Sequence, residues 1–309
     1  MSADSDAAIA FSIITPSYNQ GAFIERTIQS VLSQTEVTLE YVVCDGGSTD
    51  KTVDILKRYD SKLRWISEAD GGQAAGVNKG LSMTSNDIIG WINSDDVYAP
   101  NALKRVQDLF EQFPDVDLIY GDATYLNESD HIIGSYPTQL WDYKKLKLVC
   151  YLCQPAVFFR RRLVEQFGSL NETLHYCLDY ELWLRYGKMA KVHYLPQILA
   201  SSRLYQSTKS IGSIVAAHWE TNDMLKQTLG YVPDTAILRY ARMKTESDLG
   251  REISYPVHNR VFNLRDAKLV RQFLATAFES FWRWQKVPSP MRVLNMLIPR
   301  LLKWQGKMP

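Results

Sequence analysis

Two adjacent carboxylates, Asp95 and Asp96, follow a short apolar run and are preceded by Asn93 and Ser94. Neighbouring carboxylates repel each other, and a divalent cation that also holds phosphate oxygens relieves this repulsion. Hard oxygen ligands of this kind suit Mg²⁺ or Mn²⁺. The tetrapeptide therefore predicts a divalent-metal site, and the alternative is a turn that caps a helix before Pro100.

A second acidic residue, Asp45, ends another apolar run and is followed by two glycines. Its carboxylate can accept hydrogen bonds from a base N–H or a ribose hydroxyl, and the glycines leave room for a flat ring. The alternative is a simple turn in which Ser48 or Thr49 caps the next helix.

Further along the chain, Asp70 opens the segment Asp-Gly-Gly-Gln, and Lys79 stands on the helix predicted after it. A lysine at this point can reach a diphosphate, although a solvated helix residue is the more ordinary explanation. No GxGxxG motif follows the first apolar run, which argues against a Rossmann dinucleotide pocket.

These residues stand at the ends of short apolar runs rich in β-branched and aromatic residues. The runs predict strands at 11–15, 39–44, 63–66 and 88–92, and helical patterns between them cover 22–34, 51–59 and 73–83. The alternation predicts an α/β fold with a mainly parallel sheet, which gathers ligands at the carboxyl ends of its strands.

After residue 100 the pattern becomes less regular and predicts an α+β second half. We expect a helix to residue 113, strands at 118–120 and 156–160, and a helix that begins near Asp179. The predicted divisions are a donor half over 1–100, an acceptor half of the same domain over 101–220, and a helical extension over 221–309.

Together the motifs of the first half resemble glycosyltransferase family 2, the inverting GT-A enzymes that use nucleotide-diphosphate sugars. The resemblance is dense over residues 11 to 100 and rests on TPSYNQ, EYVVCDGGSTDKT, DGGQAAGVNKG and IIGWINSDD. It implies that Asp45 contacts the nucleobase and that the DxD-type motif binds ribose and metal. The nucleotide-sugar contacts expected from it are Thr15, Pro16, Tyr18, Asp45, Asp70, Lys79, Asn93, Ser94 and Asp95.

One departure concerns Asn93, which stands where many members of the family have the first Asp of the DxD-type motif. The metal role then passes to Asp95 and Asp96, with the division between them left open.

The segments QPAVFFR, FGSLNE and LDYELWLR resemble the acceptor half of the same family. The last one carries the family's general base, which implies that Asp179 takes the proton of the attacking hydroxyl. The alternative is a helix N-terminal charge satisfied by backbone N–H groups. Glu181 is the competing carboxylate, and it points to a different side of the helix. Gln154, Glu181 and Trp183 are the expected acceptor contacts, and Trp183 serves equally well as a core residue.

After the base, the family often carries Arg-x-His, whose histidine helps to bind metal or diphosphate. Tyr205 takes the place of that histidine here, which weakens any case for a third metal ligand. The chain has no QxxRW motif, so its resemblance to processive synthases is poor and we expect one sugar per encounter. The resemblance implies a hexosyltransferase that uses a UDP-sugar and a lipid-linked glycan acceptor in surface polysaccharide biosynthesis, as in O-antigen assembly.

The composition sets wider bounds. The 309 residues carry a net charge of +1, so no global field attracts nucleic acid, and 46% hydrophobic residues suffice for a buried core. An acidic N-terminus and the lack of a long apolar stretch predict a cytoplasmic protein. Cys150 and Cys153 form a lone CxxC pair, for which buried thiols are a simpler explanation than zinc or redox chemistry.

The segment over 265–309 is basic and aromatic, with nine Lys and Arg against two acidic residues. This composition suits peripheral attachment to an anionic membrane, at the cytoplasmic face of the inner membrane. An amphipathic helix that packs on the catalytic core is the alternative.

Three other functions compete with a sugar transferase. A nucleotidyltransferase needs a first loop rich in Gly and Arg, which TPSYNQGAF lacks. A silent nucleotide-sugar-binding subunit would lose the carboxylates, yet Asp95, Asp96 and Asp179 are present. A membrane scaffold in a polysaccharide assembly complex would leave the first 100 residues unexplained.

Overall fold

The computed structural model describes residues 9–205, 208, 212–251 and 266–285. The chain divides into two compact units, one of residues 1–146 with 150–205 and the other of 147–149 with 206–309. The expected donor and acceptor halves therefore share the first unit. The expected boundary after residue 220 falls inside a helix of the second unit, Ile214–Leu229.

A single mixed sheet forms the centre of the first unit. Within the described residues it has nine strands in the order β3-β2-β1-β4-β8-β6-β9-β5, and β7 pairs with β6. The strands are β1 Ala10–Ser17, β2 Thr38–Asp45, β3 Arg64–Ser67, β4 Ile88–Trp91, β5 Val97–Tyr98, β6 Leu118–Leu126, β7 Ile132–Ser135, β8 Val157–Arg160 and β9 Val192–Arg203.

The direction of the strands changes at β8. Strands β1 to β4 are parallel to one another, whereas β8 runs antiparallel to both β4 and β6. The predicted mainly parallel first half and mixed second half are thus confirmed. Because β1, β2 and β4 are parallel, the polar residues at their carboxyl ends lie along one edge of the sheet.

Helices cover the sheet and connect its strands. In the first unit they are α1 Ile24–Leu32, α2 Thr52–Lys57, α3 Gln73–Ser82, α4 Ala102–Gln112, α5 Tyr143–Leu146, α6 Arg161–Phe167 and α7 Leu178–Gly187. Helix α1 buries residues at helical spacing, Ile24, Thr27, Ile28 and Val31. Helix α3 lies so close to β1 that a Cβ at Gly80 would collide with Ile14. This close packing places the N-terminus of α3 beside the edge where β1 and β2 end.

The second unit is helical where it is described, with α8 Ile214–Leu229, α9 Asp234–Asp248 and α10 Ala267–Gln285. Trp219, Tyr240 and Trp284 pack edge to face, with ring centroids 5.0–5.4 Å apart. One aromatic cluster thus joins all three helices.

The basic and aromatic segment is only partly described. In α10, the aromatic side chains of Phe273, Phe281 and Trp284 are buried, whereas Trp282 is exposed. The first three are therefore packed in the protein rather than available to a membrane. Residues 286–309, which carry most of the predicted membrane contact, lie outside the described residues. In the part of the chain that the structure describes, no helix has both the length and the apolarity to span a membrane.

Candidate active site

Three loops meet at the edge of the sheet where β1, β2 and β4 end. Ser17 pairs with Asp45 at the ends of β1 and β2, and the loop over 93–96 follows β4 on the other side of β1. Asn19 ties the first two loops together, because its N–H donates to Ser48 Oγ at 2.7 Å and its Oδ1 accepts from Thr49 N at 2.9 Å. The predicted gathering of polar residues at this edge is therefore present.

Of the residues expected from the first strand to bind the nucleotide, Tyr18 is accessible. Its side chain is 61% exposed and is able to stack on a base. Thr15 is fully buried and bonds to the Tyr41 hydroxyl at 3.1 Å, and Pro16 is buried against α3. The side chains of Thr15 and Pro16 therefore belong to the core, and a nucleotide contact from either residue would have to come from its backbone.

Asp45 is also engaged by the protein. Its carboxylate accepts hydrogen bonds from Ser48 N at 2.8 Å, Ser48 Oγ at 2.5 Å and Ser67 Oγ at 2.6 Å, and the residue is only 2% exposed. Asp45 therefore shapes the loop after β2 and does not present an exposed acceptor to a base, although neither Ser48 nor Thr49 caps α2, whose N-cap is Lys51.

Asp70 and Lys79 lie on the outer side of this loop. Asp70 is exposed, accepts a hydrogen bond from Gly72 N at 2.8 Å, and lies over Gly46, whose missing side chain leaves the space it occupies. Asp70 is thus the accessible carboxylate near the end of β2. Lys79 forms an ion pair with Glu68 on the protein surface.

The two neighbouring aspartates face different surroundings. Asp96 is 3% exposed and accepts hydrogen bonds from Arg203 N at 2.8 Å and Asn93 Nδ2 at 3.3 Å. Burial, and next the charge of Asp95, raise the pKa of Asp96 well above its usual value. Asp95 is half-buried, and its Oδ2 accepts a hydrogen bond from the Tyr205 hydroxyl at 3.0 Å. Asp96 is therefore an internal anchor of the loop, and Asp95 is the more accessible carboxylate.

Asn93 links the aspartates to α3. Its Oδ1 accepts from Gln73 Nε2 at 2.7 Å and from Trp91 Nε1 at 3.1 Å, while its Nδ2 donates to Asp96. An aspartate could not supply this donor, so the amide suits a position beside a buried carboxylate. Ser94 is 4% exposed, so its expected contact with the nucleotide stays a prediction.

Arg203, at the end of β9, holds the backbone of this loop. Its guanidinium is fully buried, donates to the carbonyls of Asp95 at 2.8 Å and Asn127 at 2.6 Å, and pairs with Asp130. Its ring contact is Phe23, 4.9 Å from the guanidinium carbon. The sequence pattern drew attention to Arg203 as the arginine of an Arg-x-His element. Its contacts with distant carbonyls could not be predicted, because local residue spacing does not report them.

Asp179 lies in the first turn of α7, as predicted, and its Oδ1 accepts a hydrogen bond from Tyr180 N at 2.8 Å. The pKa of the Cys153 thiol is raised well above its usual value by burial and then by the charges of Asp96 and Asp179. Burial, then the charge of Asp179, also raises the pKa of Cys150. The charges of Asp96 and Asp179 thus both act on one buried thiol, and both cysteines are held as neutral thiols.

Gln154 follows Cys153 in a short 3₁₀ helix, Gln154–Ala156. The residue is 8% exposed, and its Nε2 donates to the Trp91 carbonyl at the end of β4. Among the described residues, no donor reaches its buried Oε1. The amide thus lies beside the end of β4, just before the loop over 93–96.

Two of the expected acceptor contacts have partners within the protein. Both carboxylate oxygens of Glu181 bind Arg185, at 2.9 and 2.8 Å, and Arg185 in turn donates to the carbonyls of Phe167, Gly168 and Ser169. Trp183 is 1% exposed, and its ring packs edge-on against Phe159. Glu181 and Trp183 are therefore engaged by other residues of the protein, and their contact with the acceptor stays a prediction.

The FGSLNE segment, whose first carbonyls bind Arg185, is also held by Asn78 of α3. Asn78 Nδ2 donates to the Leu170 carbonyl at 3.0 Å and to Glu172 Oε1 at 2.8 Å, and Asn78 Oδ1 accepts from Leu170 N at 3.0 Å. The FGSLNE segment is thus a turn fixed by Asn78 and Arg185. Asn78 and Arg185 both lie within the motifs of the sequence, but no role was predicted for either of them.

The donor set for a metal consists of carboxylate oxygens. Within the described ranges, no group of three or more His, Cys, Asp or Glu side chains is arranged to hold a metal ion. Mg²⁺ and Mn²⁺ do not require such a group, because they are often held by one or two carboxylates together with substrate phosphates and water. Asp95 therefore fits a cation that the nucleotide diphosphate helps to bind.

The model of glycosyl transferase family 2 matches residues 12–168, and the chain belongs to that family. An uncharacterized glycosyltransferase of Rickettsia typhi is 26% identical over 209 residues, which are 63% of this chain and 64% of the relative. Chondroitin synthase of Escherichia coli is 26% identical over 204 residues, 65% of this chain and 30% of that enzyme. The chain thus spans less than two thirds of these relatives.

Solved structures show the same fold. Residues 1–349 of TarS from S. aureus, in complex with UDP-GlcNAc, superpose with a TM-score of 0.60 at 18% identity, covering 97% of this chain and 88% of that one. The mannosyltransferase PcManGT from Pyrobaculum calidifontis, in complex with GDP-Man and Mn²⁺, gives 0.54 at 15% identity, covering 98% and 83%. The predicted GT-A fold is confirmed.

Proposed function

We propose that this chain transfers one sugar from a nucleotide-diphosphate sugar to a hydroxyl of a glycan acceptor, with inversion at the anomeric carbon. The observation that carries the proposal is the convergence of two acidic groups from different halves of the first unit. The Asp95–Asp96 loop follows β4, and Asp179 begins α7, which packs on the neighbouring strand β8 through the rings of Trp183 and Phe159. The charges of both Asp96 and Asp179 on the Cys153 thiol agree with this placement.

On the donor side, we assign the metal contact to Asp95, because Asp96 is committed to the loop. A bound Mg²⁺ or Mn²⁺ would neutralise the negative charge that develops on the leaving diphosphate. Asp96 keeps the loop in place through Arg203 N, and Asn93 links the loop to α3. Tyr18 offers an exposed ring to the base, and Asp70 offers an exposed carboxylate to a base or ribose donor.

On the acceptor side, we assign the general base to Asp179. Its carboxylate takes the proton from the acceptor hydroxyl as that oxygen bonds to the anomeric carbon and the bond to the diphosphate oxygen breaks. A single displacement of this kind inverts the anomeric configuration and needs no protein nucleophile. Gln154 supports the acceptor side, because a substrate hydroxyl would satisfy the buried Oε1 that the protein leaves unpaired.

The similar proteins support a more specific proposal for the donor nucleotide and the acceptor. A uridine donor is supported by the TarS complex with UDP-GlcNAc, although PcManGT was solved with GDP-Man, so both nucleotides have to be compared. Chondroitin synthase supports a polysaccharide product. We propose a surface glycan acceptor, carried on a lipid, to which one sugar is added per encounter.

Calorimetry with UDP and GDP, each with Mn²⁺ and with EDTA, tests donor binding. We expect Mn²⁺-dependent binding of one of the two nucleotides. Asp95→Asn should lose this dependence, whereas Asp54→Asn, which removes a surface carboxylate, should keep it. Binding of neither nucleotide would overturn the proposal.

A screen of nucleotide sugars with extracted glycan acceptors then tests the stereochemistry. Proton NMR of the first product gives its anomeric configuration, and we expect it to be opposite to that of the donor. A product that retains the donor configuration would exclude the single displacement and the role of Asp179.

A further inference from the structure

The segment Arg203–Tyr205 contacts the two aspartates at three points. Arg203 supplies a backbone N–H to the carboxylate of Asp96 and its Nε to the carbonyl of Asp95, while Tyr205 supplies its hydroxyl to the Asp95 carboxylate. The first two contacts fix the backbone of the loop. The Tyr205 contact is different, because it acts on the carboxylate that we assign to the metal.

Tyr205 is itself held in place from the loop after β1. Its ring packs on Phe23 with centroids 4.9 Å apart, and its hydroxyl accepts a hydrogen bond from Gln20 Nε2 at 3.4 Å. The backbone N–H of Gln20 is anchored by Thr52 Oγ1 at 2.9 Å. Packing and hydrogen bonds therefore determine where the phenol oxygen lies before any ligand binds.

We propose that Tyr205 is a positioning residue that fixes the orientation of the Asp95 carboxylate for the cation and keeps the site selective for hard divalent cations such as Mg²⁺ and Mn²⁺. The proposal rests on the metal-dependent donor binding proposed above. Hydrogen bonds to a ligating carboxylate set its direction, and their loss typically weakens metal affinity by about 10- to 100-fold.

The selectivity follows from the chemistry of the side chain. A phenol that donates a hydrogen bond to Asp95 adds no nitrogen or sulfur ligand to the site, so the protein supplies oxygen ligands alone. Oxygen ligands suit Mg²⁺ and Mn²⁺, whereas an imidazole in the same place would suit Ni²⁺, Co²⁺ and Zn²⁺ as well.

Tyr205→Phe removes the hydroxyl and keeps the ring against Phe23. We expect Mn²⁺ affinity in the presence of UDP or GDP, measured by electron paramagnetic resonance of free Mn²⁺, to fall by about 10- to 100-fold. Nucleotide affinity in EDTA and the melting temperature should stay close to those of the parent protein. Tyr194→Phe is the matched control, since it removes another Tyr–Asp hydrogen bond, to Asp122 at 2.6 Å, and should leave Mn²⁺ affinity unchanged.

Tyr205→His tests the selectivity. We expect it to raise the affinity for Ni²⁺ and Co²⁺ relative to Mn²⁺ by about 10-fold or more, measured by competition against Mn²⁺. Unchanged Mn²⁺ affinity in Tyr205→Phe, or unchanged ratios of Ni²⁺ and Co²⁺ affinity to Mn²⁺ affinity in Tyr205→His, would overturn the inference while leaving donor binding intact. If the parent protein bound neither nucleotide with Mn²⁺, the proposed function itself would fail.

Discussion

The two halves of the first unit position their functional residues in different ways. In residues 9–100, parallel strands bring Asp45 and the 93–96 loop to one edge, and short hydrogen bonds within that edge complete the arrangement. In residues 101–205, arginines hold the loops through distant backbone carbonyls. Arg185 binds three carbonyls before α7, and Arg203 binds those of Asp95 and Asn127.

The same device joins the second half to the sheet. Arg160 is 8% exposed and donates to the Val116 carbonyl at 2.9 Å, and Arg161 donates to the Asn86 carbonyl at 2.9 Å and to Ser12 Oγ at 3.0 Å. Buried or half-buried arginines that bind carbonyls thus hold the loops together where the strand pattern becomes irregular. We therefore expect that single substitutions in the second half will change either turnover or the free energy of unfolding, and that substitutions in the first half will more often change both.

Asp179→Asn should give the largest loss of activity. The amide keeps the size of the side chain but cannot take a proton, and loss of a general base lowers turnover by about 10²- to 10⁴-fold. Nucleotide affinity should stay within a few-fold, because the donor contacts are assigned to other loops. Initial rates of sugar transfer, together with calorimetry of the nucleotide, measure both quantities.

Glu181→Gln is the control for this variant, since it neutralises a carboxylate of the same helix. It weakens the pair with Arg185, so we expect the free energy of unfolding to fall by about 1–3 kcal/mol while turnover stays within a few-fold. A greater loss of turnover in Glu181→Gln than in Asp179→Asn would mean that the base has been assigned to the wrong carboxylate.

Arg203→Met should have the largest effect on stability. It removes a fully buried cation and leaves the carbonyls of Asp95 and Asn127 without their donor, whereas Asp130 keeps its pair with Arg26, so we expect a loss of about 1–3 kcal/mol for each carbonyl left unsatisfied. Urea unfolding gives this value, and Arg58→Met, at a surface pair with Glu25, is the matched control with an expected change below about 1 kcal/mol. Equal effects of the two variants would contradict the distinction between the two halves.

The fold of the first unit was largely predictable, because strand and helix periods alternate clearly up to residue 113. A helical extension was predicted after residue 220, but the bounds of α8 and α9 were not, since the mixed charges over 221–263 conceal their apolar faces. Their stability comes from contacts such as the cluster of Trp219, Tyr240 and Trp284, which sequence spacing does not reveal.

The site was predictable in its location more than in its details. Strand ends indicated where Asp95 and Asp96 would lie, and a predicted helix start indicated the place of Asp179. They did not indicate that Asp96 faces inward, because this depends on a backbone N–H more than a hundred positions away along the chain, at Arg203. The same limit explains why Thr15 and Trp183 were taken as contacts, since a motif does not show which side chains become buried.

Asn93→Asp tests how closely the first half is adapted to its amide. A carboxylate at this position cannot donate to Asp96 and adds a third negative charge to the loop, so we expect the free energy of unfolding to fall by about 1–3 kcal/mol. Urea unfolding without metal measures the change. Unchanged stability would mean that the Asn93–Asp96 contact contributes nothing, and that the amide here has another explanation.

Lys79→Met should have the smallest effect, and it decides between two interpretations of a single lysine. The ammonium forms a surface pair with Glu68, and its side chain is 38% exposed, so losing it should change the free energy of unfolding by less than about 1 kcal/mol. Because Glu68 already balances its charge, we expect UDP affinity to stay within about threefold. Comparison of UDP with uridine in calorimetry is the decisive measurement, since the two ligands differ only in the diphosphate. If the variant bound UDP about tenfold more weakly and uridine equally well, Lys79 would contact the diphosphate after all, and the pair with Glu68 would have to open when the donor binds.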